Sequence, residues 1–117
     1  MKHISSSAIP PKPVTQEGAR ATTIRELITD REGAPTFAMR LFEVAPGGAT
    51  PRHAHPWEHE VFVLAGKGQV NVAEGPVAIE AGDAVLISPE EEHQFANAGE
   101  QVLRFLCLIP VKQPCCR

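Results

Sequence analysis

The sequence predicts an all-β domain, built as a sandwich or a small barrel of short strands. Short runs rich in β-branched and aromatic residues recur between turn signals, as they do in such folds. Helix-period stretches of useful length are absent. The length of 117 residues is that of one domain. We therefore expect about eight strands in one closed or nearly closed double sheet.

The predicted strands follow one another from residue 37 onwards, and turn signals separate them. Phe37–Val44 is closed by Pro46-Gly47-Gly48, and a short strand follows over residues 50–55. Glu60–Leu64 is rich in β-formers and ends at Gly66-Lys67-Gly68, a hairpin-type turn. The remaining strands are Gln69–Ala73, Val77–Ile79, Ala84–Ile87, His93–Ala96 and Val102–Ile109.

The two ends of the chain depart from this strand pattern. Residues 1–13 carry three serines and three prolines, a composition typical of a mobile arm or an extended edge segment. Residues 14–34 are ambiguous between a strand and one short helical turn. We expect one domain over residues 14–112 and a tail over residues 113–117, in which Cys115 and Cys116 have no assigned role.

Composition and charge exclude several classes of partner. The formal net charge of −3, with both signs interspersed, argues against nucleic-acid binding. No stretch reaches the length of a membrane span, and the amino terminus lacks a hydrophobic signal core. An odd number of cysteines, three, argues against a disulfide framework. We expect a cytoplasmic protein that binds a small-molecule substrate, and neither nucleic acid nor membrane.

Four of the five histidines are spaced so that they can share one metal ion. His53, His55 and His59 fall within seven residues, and His93 lies on a later predicted strand. Neutral imidazole is the commonest protein metal ligand. Because side chains alternate along a strand, His53 and His55 are predicted to face the same side of the strand over residues 50–55. The pattern therefore predicts a metal site.

These histidines belong to two motifs that resemble those of the cupin superfamily. The first motif reads Gly47, His53-Ala54-His55, His59 and Gly66, and the second reads Gly82, Pro89, His93 and Asn97. The resemblance covers residues 47–97 and implies a cupin barrel, which is a double-stranded β-helix or jelly-roll sandwich.

The chain departs from the usual cupin pattern at two positions. His59 stands where most cupins carry glutamate, and Glu60 competes as the ligand because the family also allows a four-residue gap. Adjacent strand residues face opposite sides, so one of the two points inward, and the spacing to Gly66 favours His59. Glu91 stands where many cupins have glycine, so we expect a different turn before His93.

The closer resemblance is to small single-domain cupins with four histidine ligands. It implies that His53, His55, His59 and His93 hold a manganese ion, and that the protein is a dioxygenase-like homodimer. Nitrogen ligands also suit iron, copper, nickel and zinc. Metal binding is expected to weaken as the pH falls through about 6.5, the ordinary histidine pKa.

Four further residues are candidates for the pocket around the ion. Arg40 lies mid-strand among apolar residues, which indicates either a buried ion pair or a guanidinium that holds a substrate carboxylate. Phe95 shares strand parity with His93. Phe105 and Cys107 share one face of the last strand, and the resemblance implies that such positions line the metal cavity.

Four neutral imidazoles leave the charge of a divalent ion uncompensated, which favours an anionic substrate. We expect a dioxygenase-like oxidation of a small anionic or enolic compound. The alternatives are decarboxylase, lyase or isomerase chemistry on a small carboxylate or sugar, and non-catalytic small-molecule binding or stress protection.

Overall fold

The computed structural model of the protein describes residues 1–113. Nine strands, named β1 to β9 in chain order, form the regular structure of this part, together with short 3-10 turns at Ser6–Ala8 and Asp30–Glu32. The strands are β1 Lys12–Pro13, β2 Arg20–Ile28, β3 Phe37–Ala49, β4 His59–Ala65, β5 Lys67–Val72, β6 Gly75–Glu80, β7 Ala84–Ile87, β8 Gln94–Ala96 and β9 Leu103–Pro110. The predicted all-β fold is confirmed.

Strand β3 organises the sheet because it pairs with three other strands. Its first part pairs with β2 on one side and with β9 on the other, and its last residue, Ala49, reaches Ala96 of β8. The order of the sheet is β6-β5-β8-β3-β9-β4-β7, with β2 beside β3 and β1 beside β2. The sheet curls, so that the strands at its two ends contribute to one interior.

One hydrophobic core fills this interior. Its buried members are Val44, Val61, Val63, Val70, Ile79, Ile87, Phe95, Leu103, Phe105 and Cys107. The alternation expected of a strand with one buried face is clear in β4, where His59, Val61 and Val63 are buried and the residues between them are exposed. His59 thus extends a row of core residues towards one end of the barrel.

The predicted strand over residues 50–55 is wrong. Residues 50–58 form a loop, with only an isolated bridge between His53 and His93. Pro51 and Pro56 lack the backbone N–H groups that a continuous ladder needs, which favours a loop.

Part of the amino-terminal region pairs with the sheet. Residues 14–34, ambiguous in the sequence, contain β2 and the turn Asp30–Glu32, and β1 pairs with β2 at the sheet edge. The domain bounds 14–112 and the mobility of residues 1–13 stay predictions. Cys115 and Cys116 lie outside the described residues. Within residues 1–113, no helix is long and apolar enough to cross a membrane.

Gly66 forms the tight turn between β4 and β5. Its φ of +87° lies in the left-handed region, and a side chain there would collide with the backbone carbonyl of Val102. Gly33 has a similar φ of +96°, but a side chain on it would meet open space. The two glycines therefore separate the cost of the backbone conformation from that of a close approach.

We predict that Gly66→Ala lowers the free energy of unfolding by about 2–4 kcal/mol, because it adds overpacking to the left-handed strain. Gly33→Ala should lower it by about 1 kcal/mol from the strain alone. Denaturant unfolding of both variants measures the difference. Equal losses would show that the approach to Val102 has no energetic weight.

Candidate metal centre

Backbone hydrogen bonds bring the loop of residues 50–58 to the start of β8. The His53 N–H donates to the His93 carbonyl at 3.1 Å, and the His93 N–H donates to the His53 carbonyl at 3.0 Å. The Glu90 N–H donates to the His55 carbonyl at 2.7 Å. His53 and His55 therefore face one point because a loop is anchored there, and the predicted explanation from strand parity is wrong.

The structure brings three of the four predicted histidines into one group and places the fourth, His59, beside it. The ligand nitrogens of His53, His55 and His93 all lie within 4.8 Å of one another. His59 reaches them from β4, with its Nε2 2.6 Å from Nε2 of His55 and its ring centroid 5.0 Å from that of His93. Donors from a loop, from β4 and from the start of β8 thus meet at one end of the barrel.

His59 and Glu60 were the competing candidates for the third position, and they point in opposite directions. His59 is 7% exposed and faces the interior. Glu60 is exposed on the outer face, where it lines a groove with Phe62 and Leu86. Of these two side chains, His59 is the one that can reach the other histidines.

Main-chain carbonyls hold two of the rings with Nε2 directed at the cluster. Nδ1 of His55 donates to the Trp57 carbonyl at 3.0 Å, and the Trp57 indole stacks on the His55 ring at a centroid distance of 4.3 Å. Nδ1 of His93 donates to the Glu91 carbonyl at 2.8 Å. Because a carbonyl can only accept, each Nδ1 carries the proton and each Nε2 keeps its lone pair. This is the tautomer that a metal ligand requires.

The turn before His93 is held in an uncommon conformation. Glu90, one residue before the Glu91 singled out in the sequence, has a left-handed φ of 66°, which few non-glycine residues adopt. Its N–H makes the short bond to His55 described above, and the following carbonyl holds the His93 ring. The turn therefore positions two rings at once.

An unsatisfied nitrogen supports the fit of this cluster to a metal ion. Nε2 of His93 is buried and has no hydrogen-bond partner among the residues that the structure describes. A buried polar atom without a partner costs about 1–3 kcal/mol, so such atoms are rare unless a ligand or ion completes them. The residues present fit a divalent cation.

Burial keeps the histidines neutral. Desolvation, together with positive charge on neighbouring histidines and on Arg40, lowers the pKa of His53 to about 4 and that of His59 to about 2. Desolvation is also the main cause that lowers the pKa of His55 and of His93. Neutral rings at neutral pH can bind an ion without a net loss of protons.

A cavity of about 70 Å³ opens beside the cluster. Its lining includes the four residues predicted to surround the ion, namely Arg40, Phe95, Phe105 and Cys107. Phe105 stacks on Phe42 and Phe95 with centroid distances of 5.3 and 4.7 Å. The wall of the cavity next to the histidines is therefore largely aromatic.

Arg40 is the one charged side chain outside the histidine cluster that lines this cavity, among the residues described. It makes no ion pair with a carboxylate in residues 1–113. Its Nη2 donates to Sγ of Cys107 at 3.1 Å, its guanidinium lies 5.1 Å from the centroid of the Phe42 ring, and its buried Nε has no partner there. Two roles were predicted for Arg40, a buried ion pair and the binding of a substrate carboxylate. The described residues do not form the ion pair.

Sequence reasoning missed several residues of the site. Val14 and Gln16, which precede β2, line the cavity, as do Phe42, Thr50 and Pro51. The main-chain acceptors at Trp57 and Glu91 were also missed, because any residue type supplies a carbonyl. For Phe42 a signal existed, since it shares strand parity with Arg40.

Residues 40–109 match the cupin domain family. A 1-methylthio-D-xylulose 5-phosphate methylsulfurylase from Rhodospirillum rubrum is 35% identical over 74 residues, which are 63% of this chain and 47% of that protein. The chain thus spans about half the length of that relative. An oxalate-binding protein from Thermotoga maritima is 29% identical over 111 residues, with 91% of each chain covered.

A solved structure is similar over nearly the whole chain. It is the polyketide cyclase RemF from Streptomyces resistomycificus, 35% identical, with a TM-score of 0.91 and coverage of 98% of this chain and 82% of that one. The cupin family match extends over more than half of this chain, from Arg40 in β3 to Ile109 in β9. From its motifs, its barrel and these matches, the protein belongs to the cupin domain family.

Proposed function

We propose that this chain is a metal-dependent enzyme that acts on a small anionic or enolisable organic substrate. The observation that supports the proposal is the convergence of neutral histidine nitrogens beside the cationic Arg40. No aspartate or glutamate lines this cavity within residues 1–113. A divalent ion would make the site strongly positive, and a bound anion would compensate that charge.

His53, His55, His59 and His93 would hold the ion, and manganese is our first choice over iron, copper, nickel or zinc. When bound, the ion supplies Lewis acidity to a substrate oxygen. The four side chains act as ligands and do not transfer protons in the reaction, because their pKa values lie below the ordinary range.

Arg40 would bind the anionic group of the substrate. Its guanidinium is permanently charged and can present two parallel N–H donors to a carboxylate or an enolate. Phe42 and Phe105 beside it exclude water, which strengthens the attraction between the guanidinium and an anion. Negative charge that develops on the substrate is thereby stabilised.

The reaction that this lining favours is carbonyl chemistry through an enolate, independent of dioxygen. The cavity offers charge stabilisation and no carboxylate base among the described residues. The proton of an acidic C–H would therefore leave to hydroxide from the solvent, and a substrate that enters as its enolate, or that forms one by losing CO2, suits the site. The similarity to a polyketide cyclase over most of the chain supports this class. Cyclisation, decarboxylation and isomerisation all belong to it.

The dioxygenase-like activity that the family resemblance implies is the second candidate. It is favoured by an all-nitrogen donor set, which leaves the charge of a redox-active ion uncompensated. That charge would attract an anionic enolic substrate. Tight binding without turnover would instead indicate the non-catalytic role kept open by the sequence.

The predicted homodimer and the cytoplasmic location stay predictions. The outer face of β4, β7 and β9 is the surface on which a second copy would pack. It is apolar, with Phe62 46% and Leu86 61% exposed and with Leu106 and Leu108 beside them. Large exposed apolar faces are typical of protein–protein contacts.

The metal site is tested by elemental analysis and by titration with Mn²⁺, Fe²⁺, Co²⁺, Ni²⁺, Cu²⁺ and Zn²⁺. We expect one divalent ion per chain in protein purified without chelator. His53→Ala and His93→Ala should each weaken binding by at least about tenfold, since each removes one ligand. His3→Ala, in the exposed amino-terminal segment, is the matched control and should bind as the wild type does. Binding by the wild type and all variants alike would refute the site.

Arg40→Met and Arg40→Lys test the anion site in metal-loaded protein, with oxalate and a β-diketo acid as probes. Arg40→Met should weaken the binding of both anions by at least about tenfold, because it removes the charge. Arg40→Lys should retain part of the affinity, because it keeps the charge but loses the two parallel N–H donors of the guanidinium. An oxygen electrode run on the same samples separates the two reaction classes. Oxygen consumed in proportion to substrate lost would favour the dioxygenase.

The pH dependence of metal binding should be shallow. Protons compete with the ion for each histidine, and the competition begins near the pKa of the ring. Because the pKa is about 4 for His53 and about 2 for His59, protonation begins well below pH 6.5. We therefore expect the Mn²⁺ affinity to fall less than about tenfold between pH 7.5 and 5.5. A steep loss centred on pH 6.5, as for unperturbed histidines, would contradict this.

A further inference from the structure

Cys107 stands between the pocket guanidinium and a histidine of the metal centre. Its Sγ lies 3.1 Å from Nη2 of Arg40 and 3.0 Å from Nδ1 of His59. Strand register produces this arrangement: Cys107 of β9 is the cross-strand partner of Arg40 in β3 and of Val61 in β4, two residues after His59. Cys107 is 1% exposed, so solvent water does not replace these contacts.

Fixed acceptors determine where the protons of this chain of contacts lie. Because Nδ1 of His55 donates to a carbonyl, its Nε2 is bare. Nε2 of His59, 2.6 Å away, must then carry a proton, since two bare nitrogens would repel each other. A neutral ring has one N–H, so Nδ1 of His59 is bare and accepts from the thiol of Cys107. Arg40 donates to the same sulfur.

An ion at the site would reverse one of these hydrogen bonds. Nε2 of His59 must be bare to bind a cation, so the proton of the neutral ring must be on Nδ1, directed at Sγ of Cys107. One proton leaves Nε2 for solvent and one is taken up at Nδ1, so the ring remains neutral. A thiol can serve both states, because its hydrogen rotates about Cβ–Sγ and its sulfur can accept.

We propose that Cys107 is a positioning residue for His59. Its thiol donates to Nδ1 of His59 in the metal-free protein, and its sulfur accepts from Nδ1 when His59 binds the ion. The inference rests on the metal site proposed above. The sulfur holds the ring in one orientation while the ring proton changes nitrogen, and Arg40 holds the sulfur from the other side. Outer partners of this kind set the tautomer and the orientation of a ligating histidine.

The affinity test uses Cys107→Ala, Cys107→Ser and the control Ile79→Ala, each titrated with Mn²⁺ and with Zn²⁺. Cys107→Ala leaves Nδ1 without a partner, and the affinity should fall about 10–100-fold. Cys107→Ser keeps a group that donates and accepts, so it should bind within about threefold of the wild type. Ile79→Ala removes buried atoms from β6, which pairs only with β5 among the described strands, and should lower thermal stability while the affinity stays unchanged.

A second measurement reads the tautomer directly, through the ring ¹⁵N shifts of His59 in metal-free protein. We expect protonated Nε2 and bare Nδ1 in the wild type and in Cys107→Ser. In Cys107→Ala the proton should stay on Nε2, because Nε2 of His55 still accepts it, and the Nδ1 resonance should move to that of a nitrogen that accepts no hydrogen bond. Protonated Nδ1 in the metal-free wild type would overturn the inference. The inference would also be overturned if the wild type binds the ion and Cys107→Ala binds it equally well. A wild type that binds neither ion would refute the metal site itself.

Discussion

Two reciprocal hydrogen bonds between the main chains of His53 and His93 determine where the histidine cluster forms. They join residues forty positions apart, and neither residue lies within a named strand. The main chain at these two positions is therefore held by contacts that do not depend on the side chains. The His55 carbonyl, bound by the N–H of Glu90, adds a third fixed point. The rings have little freedom except rotation, and carbonyl acceptors remove that freedom from two of them.

The electrostatics of the site follow from this geometry together with burial. Desolvation disfavours charge on each ring, so all four histidine pKa values are lowered. Arg40 cannot lose its charge and lies against sulfur and an aromatic ring, with no carboxylate partner in the described part of the chain. The cavity is therefore short of negative charge, and both a bound metal ion and the guanidinium would favour an anionic ligand.

The sequence predicted the barrel from features that are local. Strands such as β3 and β9 are dense in apolar and β-branched residues, so their approximate positions could be read directly, although β3 continues through Pro46-Gly47-Gly48, its predicted end, to Ala49. The choice of four histidines as candidate metal ligands came from motif spacing. Strand alternation correctly separated His59 from Glu60, because the residues of β4 alternate strictly between the interior and the exterior.

Other features depend on contacts that no local pattern encodes. Residues 50–55 were predicted as a strand, and the loop that they form depends on a bridge to a distant segment. The contact between Arg40 and Cys107 requires the register of β3 on β9, and a shift of one residue would place the two side chains on opposite faces. The carbonyls that hold the rings of His55 and His93 belong to the main chain, so side-chain type gives no signal for them.

Because two of the donors sit in a loop outside the hydrogen-bonded ladders, they can be replaced independently of the barrel. A point change at His53 or His55 alters what the site can hold and leaves the strand pairing intact. The scaffold and the donor set can therefore diverge separately in evolution. In protein engineering, the same loop is a natural place to graft other ligand sets onto a pre-folded framework.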